Sequence, residues 1–395
     1  MARTRRVLVW LLTALALPLS FVEAAQVTIS AQYRGGGSGR FDNTTPPGGL
    51  CQYLTYTCRT RQTVSLPISF TKRSTKDAAD VRDEFYVQVP SRRTIDVYHE
   101  QTGEPRQITF DWSAIHQRVT GTSLDDIPAS GTNVRGGCRY VAINGQHAPA
   151  VANYLWDVTS PAAPQPCWGS VNRVPSGRVN TVEVHETSVA YQLEVPPPYR
   201  LRAGIYRGSA VYSVGPGGDF DFGNQVSGLS TNTLRVDFVL DVQHAFIFEF
   251  PPGSDRAVLE PRGGWKSWLS GRRPPQRLYR DLPFRVWSTG PFKVYKLCQY
   301  DMAGTCAIRN TDQHQVPVGI SLSLPAGIQH RGQAVERVPL PTGRGAALQF
   351  EAATPALNRP GQLHFEVASA AVGEMLDHAG STYNGMTTVV FDAEL

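Results

Sequence analysis

The chain has 395 residues, 38 of them Lys or Arg against 33 Asp or Glu, a net charge of +5, and 41% hydrophobic residues. That balance excludes a disordered chain and is long enough for two domains with real cores. So small a positive surplus gives no reason to expect a nucleic-acid partner, and 36 Gly with 29 Pro in no repeating period fit many short strands joined by turns.

At the N-terminus, Arg3, Arg5 and Arg6 precede a short apolar run from Val7 to Leu19, and Val22-Glu23-Ala24 fits a small-residue cleavage site. Residues 1–24 are therefore expected to be a secretory signal peptide. Its removal takes away three Arg and one Glu, a net loss of two positive charges that leaves +3. The mature chain holds no apolar run of the length a helical membrane span needs.

The glycine run Gly35-Gly36-Gly37-Ser38-Gly39 is not a phosphate loop, because no Gly-Lys-Ser/Thr follows it. It reads as a flexible start to the mature domain. Strands are expected, in chain order, at Val64–Phe70, Phe85–Val89, Ile95–Tyr98, Val179–Val184, Ala190–Val195, Ser209–Val214, Leu234–Val242, Ala245–Phe250, Phe292–Leu297, Gly319–Leu324, Ala347–Phe350, Gln362–Ala368 and Thr387–Phe391. Within Thr233–Val242 apolar and polar residues alternate, the pattern of a strand with one buried face. Ser74–Asp83 is expected to hold a short helix or turn. The turn-rich stretch Gly215-Pro216-Gly217-Gly218 and the polar stretch Val226–Thr233 read as a linker, which puts a domain boundary near Ser230.

Six cysteines lie in close pairs along the chain. With export, the expected pairing is sequential: Cys51–Cys58, Cys138–Cys167 and Cys298–Cys306. The spacings are wrong for zinc, and no His pair lies nearby.

One segment occurs twice. Gly204-Ile205-Tyr206-Arg207-Gly208 and Gly380-Ser381-Thr382-Tyr383-Asn384-Gly385 each place a second Gly two residues after a Tyr, and each runs into a β-rich stretch. The second copy continues Met386-Thr387-Thr388-Val389-Val390-Phe391-Asp392-Ala393. This ending resembles the C-terminal strand of chaperone–usher fimbrial subunits. Val64–Arg73, Leu234–Pro251 and Val294-Tyr295-Lys296-Leu297-Cys298 are similar to further strands of the minor tip adhesins in the class that includes colonization factor antigen I and cable pili.

The resemblance implies an all-β fold of two tandem immunoglobulin-like β-sandwich domains. An N-terminal adhesin domain would span 25–230. A C-terminal pilin domain, 231–395, would be an incomplete sandwich completed by a donor strand. Tyr383, Gly385, Val389 and Phe391 are then expected at the donor-strand groove. The implied partners are a periplasmic chaperone, an outer-membrane usher, a major pilin subunit that donates a strand, and a host-surface receptor, a glycan; nucleic acid is not among them. The implied location is the fimbrial tip at the bacterial surface, reached through the periplasm. A long Cys-containing β domain after the signal, in place of a short donor extension, is what the resemblance expects of a tip subunit.

Candidate receptor contacts are Arg92, Arg93, Arg135, Arg139, Trp156 and Trp168, with Arg118, Tyr140 and Tyr154 behind them. Aromatic faces pack on sugar rings and Arg holds acidic groups through bidentate hydrogen bonds. The plainer reading makes Trp156 and Trp168 core residues and the arginines solvated. The basic, aromatic stretch Trp265–Arg280 reads as a long loop of the second domain. No Gly-x-Ser-x-Gly elbow, His-Glu-x-x-His motif or catalytic Cys–His pairing is present, so neither an enzyme nor a cofactor or metal is expected. Two other readings stay open: a structural tip cap without a receptor, and a secreted β-rich polysaccharide hydrolase using two distant carboxylates.

Overall fold

The computed structural model describes residues 25–35, 39–128, 133–169, 174–271 and 274–393. The signal peptide, Gly36-Gly37-Ser38 and Arg272-Arg273 lie outside the described residues. The architecture is all-β, with a few short helices, and its buried apolar side chains form two large clusters, one drawn from residues 29–242 and the other from 278–372.

The first cluster is enclosed by a branched, twelve-stranded sheet. Its axis is a pair of sixteen-residue strands, Pro105–Thr120 and Val179–Glu194, paired antiparallel along most of their length. Each splits its other edge between two neighbours. Pro105–Thr120 pairs with Arg93–His99 through its first part and with Ala150–Val158 through its last. Val179–Glu194 does the same with Phe70–Thr75 and Gln62–Leu66. Register shifts at Val184/Glu186 and Ala190/Tyr191 accompany the change of neighbour, as bulges do where strands pass between layers. Between them sits an aromatic core in which Trp112 packs edge-on against Phe110, Tyr212 and Phe220.

The other side of the long strands is also covered. Two short helices, Leu50–Tyr53 and Thr55–Cys58, are closed by the Cys51–Cys58 disulfide. They lay Leu50 and Leu54 on Ala114, Leu155 and Ala190. His116 lies under this cap, fully buried and stacked on Tyr53, with Asn153 as its polar neighbour. The other bridges are Cys138–Cys167 and Cys298–Cys306.

Two expectations differ from the structure. The stretch read as a linker is packed into the first core. Phe220 and Phe222 are fully buried, Arg82 forms a two-pronged ion pair with Asp221, and the Lys72 ammonium donates to the carbonyls of Arg82, Phe222 and Asn224. The turn residues there serve a tight wrap, not a spacer. Strand Thr233–Gln243, expected to open the second domain, lies in the first sheet instead. It pairs antiparallel with Gly204–Ser213 and parallel with Ala25–Arg34, and Leu234, Val236, Phe238, Leu240 and Val242 belong to the first core. The alternation was legible; which core the buried face meets depends on pairing over long sequence distances. The short helix or turn expected within Ser74–Asp83 is a 3-10 turn at Val81–Asp83, after the end of strand Phe70–Thr75.

Two residues, His244 and Ala245, join the units. The Ala245 N–H donates to Thr289 Oγ1 at 2.9 Å and His244 Nε2 bonds the Leu201 carbonyl at 2.7 Å. Beyond them the chain forms two five-stranded sheets. One runs Phe246–Glu249, Leu278–Ser288, Ala356–Val367, Gly319–Ser323 and Val338–Pro339; the other runs Gln333–Ala334, Ile328–His330, Leu348–Ala352, Phe292–Cys298 and Thr387–Ala393. Phe284, Val286, Leu322 and Leu363 of the first sheet share a core with Phe292, Val294 and Phe350 of the second.

Candidate functional site

The order of strands puts two edges beside each other. Phe246–Glu249 ends one sheet of the second unit and Thr387–Ala393 ends the other, and each has one ladder partner among the described residues. A slot of about 770 Å³ opens between residues 250–259, which follow the first edge, and the second edge. Its walls come from Phe250 and Leu259 on one side, Val389 and Phe391 on the other, and Leu282, Ile308, Leu363 and Phe365 between.

Local sequence explains both walls. Phe246, Phe248 and Phe250 recur at every second position and so share one face of the first edge. The Phe248 ring lies 4.0 Å from that of Phe391, centroid to centroid, and Phe250 lies 5.3 Å from Phe284. On the opposite edge, Phe391 stands opposite Val294 and Val389 opposite Lys296 in the antiparallel register. Directly opposed residues share a face, and Val294 and Lys296 are buried. Val389 and Phe391 therefore point inward, yet neither they nor any other residue of Thr387–Ala393 is fully buried. Lys296 is buried beneath them with its ammonium bonded to the Leu340 carbonyl. Burial pushes its pKa down, against a smaller opposing pull from Asp301.

Of the four residues expected at the groove, Gly385, Val389 and Phe391 line the slot. Tyr383 does not; its hydroxyl bonds His314 Nδ1 at 2.8 Å and fixes the loop that leads into the last strand. Gly385 is required by space, since a Cβ there would fall 2.8 Å from the Ala307 carbonyl oxygen. Gly208, its counterpart in the first copy of the repeat, is pressed the same way, 2.5 Å from the Asp96 carbonyl oxygen. The two copies then diverge: Gly204–Ser213 is paired on both edges, and Thr387–Ala393 on one. The facing wall was not singled out from sequence. Its trace was the Phe246-x-Phe248-x-Phe250 alternation, too short to say which face stays open.

The expected receptor contacts do not gather into one site. Trp156 and Tyr154 are buried in the first core beside Phe85, which corrects their assignment as contacts: a ligand does not reach them. Arg92 clasps the buried Asp111. Arg93 bonds Asp219 and the Val211 carbonyl and lies over the Tyr212 ring. Arg135 stands opposite the half-buried Trp168 in a separate three-stranded sheet. Arg118 bonds the Tyr53 hydroxyl, Tyr140 stands opposite Trp156, and Arg139 reaches Asp157. In the basic stretch, Lys266–Leu269 is a single helical turn and the Trp265 and Trp268 rings lie 5.9 Å apart, with Trp265 at the rim of the second core.

No family model and no curated protein matches the chain. Among solved structures it is similar to a chain of the chaperone–tip adhesion subunit pre-assembly complex from the archaic chaperone–usher Csu pili of Acinetobacter baumannii. The identity is 8% over 93% of this chain and 98% of that one, with a TM-score of 0.21. At that TM-score the likeness carries no argument, and the functional reading rests on the geometry.

Proposed function

We propose that this chain is a fimbrial tip adhesin of the chaperone–usher kind, whose second unit is a pilin sandwich that accepts a donor strand. The observation that carries the reading is the slot between residues 250–259 and the edge strand Thr387–Ala393, into which Val389 and Phe391 point. An extended segment lying there gains main-chain hydrogen bonds from an open edge and buries alternate side chains against the walls. Each fully buried apolar anchor contributes roughly 1.5–3 kcal/mol, so a few suffice for a tenacious joint. Left empty, the same edges invite aggregation. The segment would come first from a periplasmic chaperone and then, at the outer-membrane usher, from a major pilin subunit.

The strand Ala25–Arg34 supports the direction of transfer. It is committed to a ten-residue parallel ladder with Thr233–Gln243, so offering it to another subunit would dismantle the first sheet. We place the two functional units on either side of His244, with 25–243 meeting a host-surface receptor, a glycan, and 244–393 joining the fibre.

The test is expression in the periplasm with and without a chaperone, and with a major-pilin donor peptide fused after Ala393. The chain should be poorly soluble alone and rescued by either partner. A stable monomer that needs neither, with Thr387–Ala393 protected from hydrogen exchange, would overturn the pilin reading. Attachment of the rescued chain to host cells separates an adhesin from a structural cap, and turnover of polysaccharide would point to a hydrolase.

A further inference from the structure

Positive charge gathers at one pole of the second unit. Among the described residues of 256–280, Arg256, Arg262, Lys266, Arg277 and Arg280 outnumber the one acid, Glu260, and give a net +4. That exceeds the +3 of the whole chain less its signal. Arg256, Arg262, Lys266 and Arg280 are exposed and make no ion pair among the described residues, while Arg277 holds Glu366 at 3.2 Å. A pocket of about 290 Å³ opens in this stretch, lined by Pro261, Arg262, Trp268, Pro275, Arg277 and Tyr279.

Strand Leu278–Ser288 shows where this pole lies. Its Ser288 end pairs with Phe246 and sits beside the Ala245–Thr289 bond that joins the two units. Its Leu278 end is ten residues further on, about 34 Å at the rise of a strand. The basic stretch is rooted at that far end, where Glu260 and Tyr279 exchange both backbone hydrogen bonds, at 3.0 and 3.3 Å. The lining of the slot runs from Phe250, beside Phe284, to Leu259, beside this root. A strand lying in the slot therefore has the first unit at one end and the basic pole at the other. The body of the subunit that supplies the strand has no room where the first unit stands, so it continues past the pole.

We infer that this pole docks an acidic face on the body of the next subunit of the fibre, the one whose strand fills the slot. The inference rests on the pilin reading. Unpaired cations on an exposed rim draw a negative surface over roughly 10 Å at 0.1 M salt. Such charge speeds docking and fixes its orientation more than it adds affinity. The pocket gives one acidic side chain of the partner a seat by Arg262, with Trp268 and Tyr279 against its stem. A membrane surface fits less well. Trp265, Trp268 and Tyr279 are half-buried and the helical part is a single turn, so the rings are not free to enter lipid.

The experiment follows strand uptake by the full chain held by its chaperone. The chain is offered either the whole major pilin subunit or that subunit's donor peptide alone, in about 50 and about 300 mM NaCl. Uptake of the whole subunit should slow about tenfold at the higher salt. The combined change Arg256→Gln, Arg262→Gln and Lys266→Gln, at exposed positions that leave the melting temperature unmoved, should slow it about tenfold at low salt and remove the salt dependence. Arg262→Glu alone should also slow it. The peptide should enter wild type and variants at one rate. Whole-subunit uptake that ignores both salt and the combined change overturns the inference. Equal slowing of the peptide overturns it too, by placing the charge effect on the strand and not on the body. So does binding to phosphatidylcholine–phosphatidylglycerol vesicles that the combined change abolishes while uptake is untouched, which assigns the stretch to lipid. Where the peptide still enters in those cases, the pilin reading stands. If neither peptide nor subunit enters, the pilin reading falls and the docking inference with it.

Discussion

Phe248 and Phe391 meet ring to ring, 4.0 Å between centroids, and Phe391 also lines a slot that no strand among the described residues fills. They belong to the edges of different sheets, so this contact stands where a backbone ladder would otherwise join the sandwich. A donor strand lying in the slot has to pass against the Phe391 ring. Phe391→Ala should therefore lower the stability of the donor-fused chain by roughly 2–4 kcal/mol, and Phe391→Asp should abolish rescue by the fused peptide. Urea denaturation of the fused protein and soluble yield from the periplasm measure the two effects.

The paired glycines give a second test. A methyl group at Gly208 or Gly385 would press on a neighbouring carbonyl oxygen, at 2.5 and 2.8 Å respectively. Backbone does not yield as a flexible side chain does, so each Gly→Ala change should cost about 1–3 kcal/mol. The readout separates them: Gly208→Ala should lower stability with or without a donor strand, and Gly385→Ala should also weaken donor binding.

His116 should make the first unit sensitive to acid. Burial pushes its pKa from 6.5 down to about 4. The folded chain refuses a proton that the unfolded chain accepts, so unfolding takes up protons between those values and stability falls as pH drops from 6.5 towards 4. The full loss is up to about 3 kcal/mol. His116→Leu should flatten that part of the stability–pH curve, as followed by urea midpoints at pH 4, 5 and 7. An unchanged slope would place the acid sensitivity elsewhere.

Lys72 acts at the other end of the scale. Desolvation is the main cause that brings its pKa from 10.5 to about 8. Between these values the unfolded chain holds the proton more firmly, so stability attributable to Lys72 rises as pH climbs from 8 towards 10.5. Lys72→Met should cost about 2–4 kcal/mol at pH 7 by leaving the carbonyls of Arg82, Phe222 and Asn224 unserved. The gap between wild type and variant should widen from pH 8 to pH 10.

Which parts of the structure were readable from sequence follows from how many faces each strand buries. Strands with one wet face, such as Thr233–Gln243 and Arg93–His99, alternate plainly. Pro105–Thr120, the longest strand with Val179–Glu194, went unrecognised because both its faces are covered. Trp112 and Ile115 meet the main core, Ala114 meets the helical cap, and Asp111, His116 and Gln117 are buried among them. Polar residues in covered positions erase the period of two. Leu278–Ser288 was missed for another reason: Pro283 interrupts a run that otherwise reads as a strand, and the sheet tolerates it opposite Gln362. The closing strand was legible, and three of the residues singled out with it, Gly385, Val389 and Phe391, line the slot beside it.

The placement of Thr233–Gln243 also has a mechanical side. A pull on the second unit enters the first at Gln243, along the axis of that strand. Ten residue pairs with Ala25–Arg34 flank it on one edge and ten with Gly204–Ser213 on the other. To come free, the strand must slide past both neighbours at once, so the ladders bear the load in shear and do not unzip rung by rung. Tension that would peel an edge strand is spread here over the middle of a sheet.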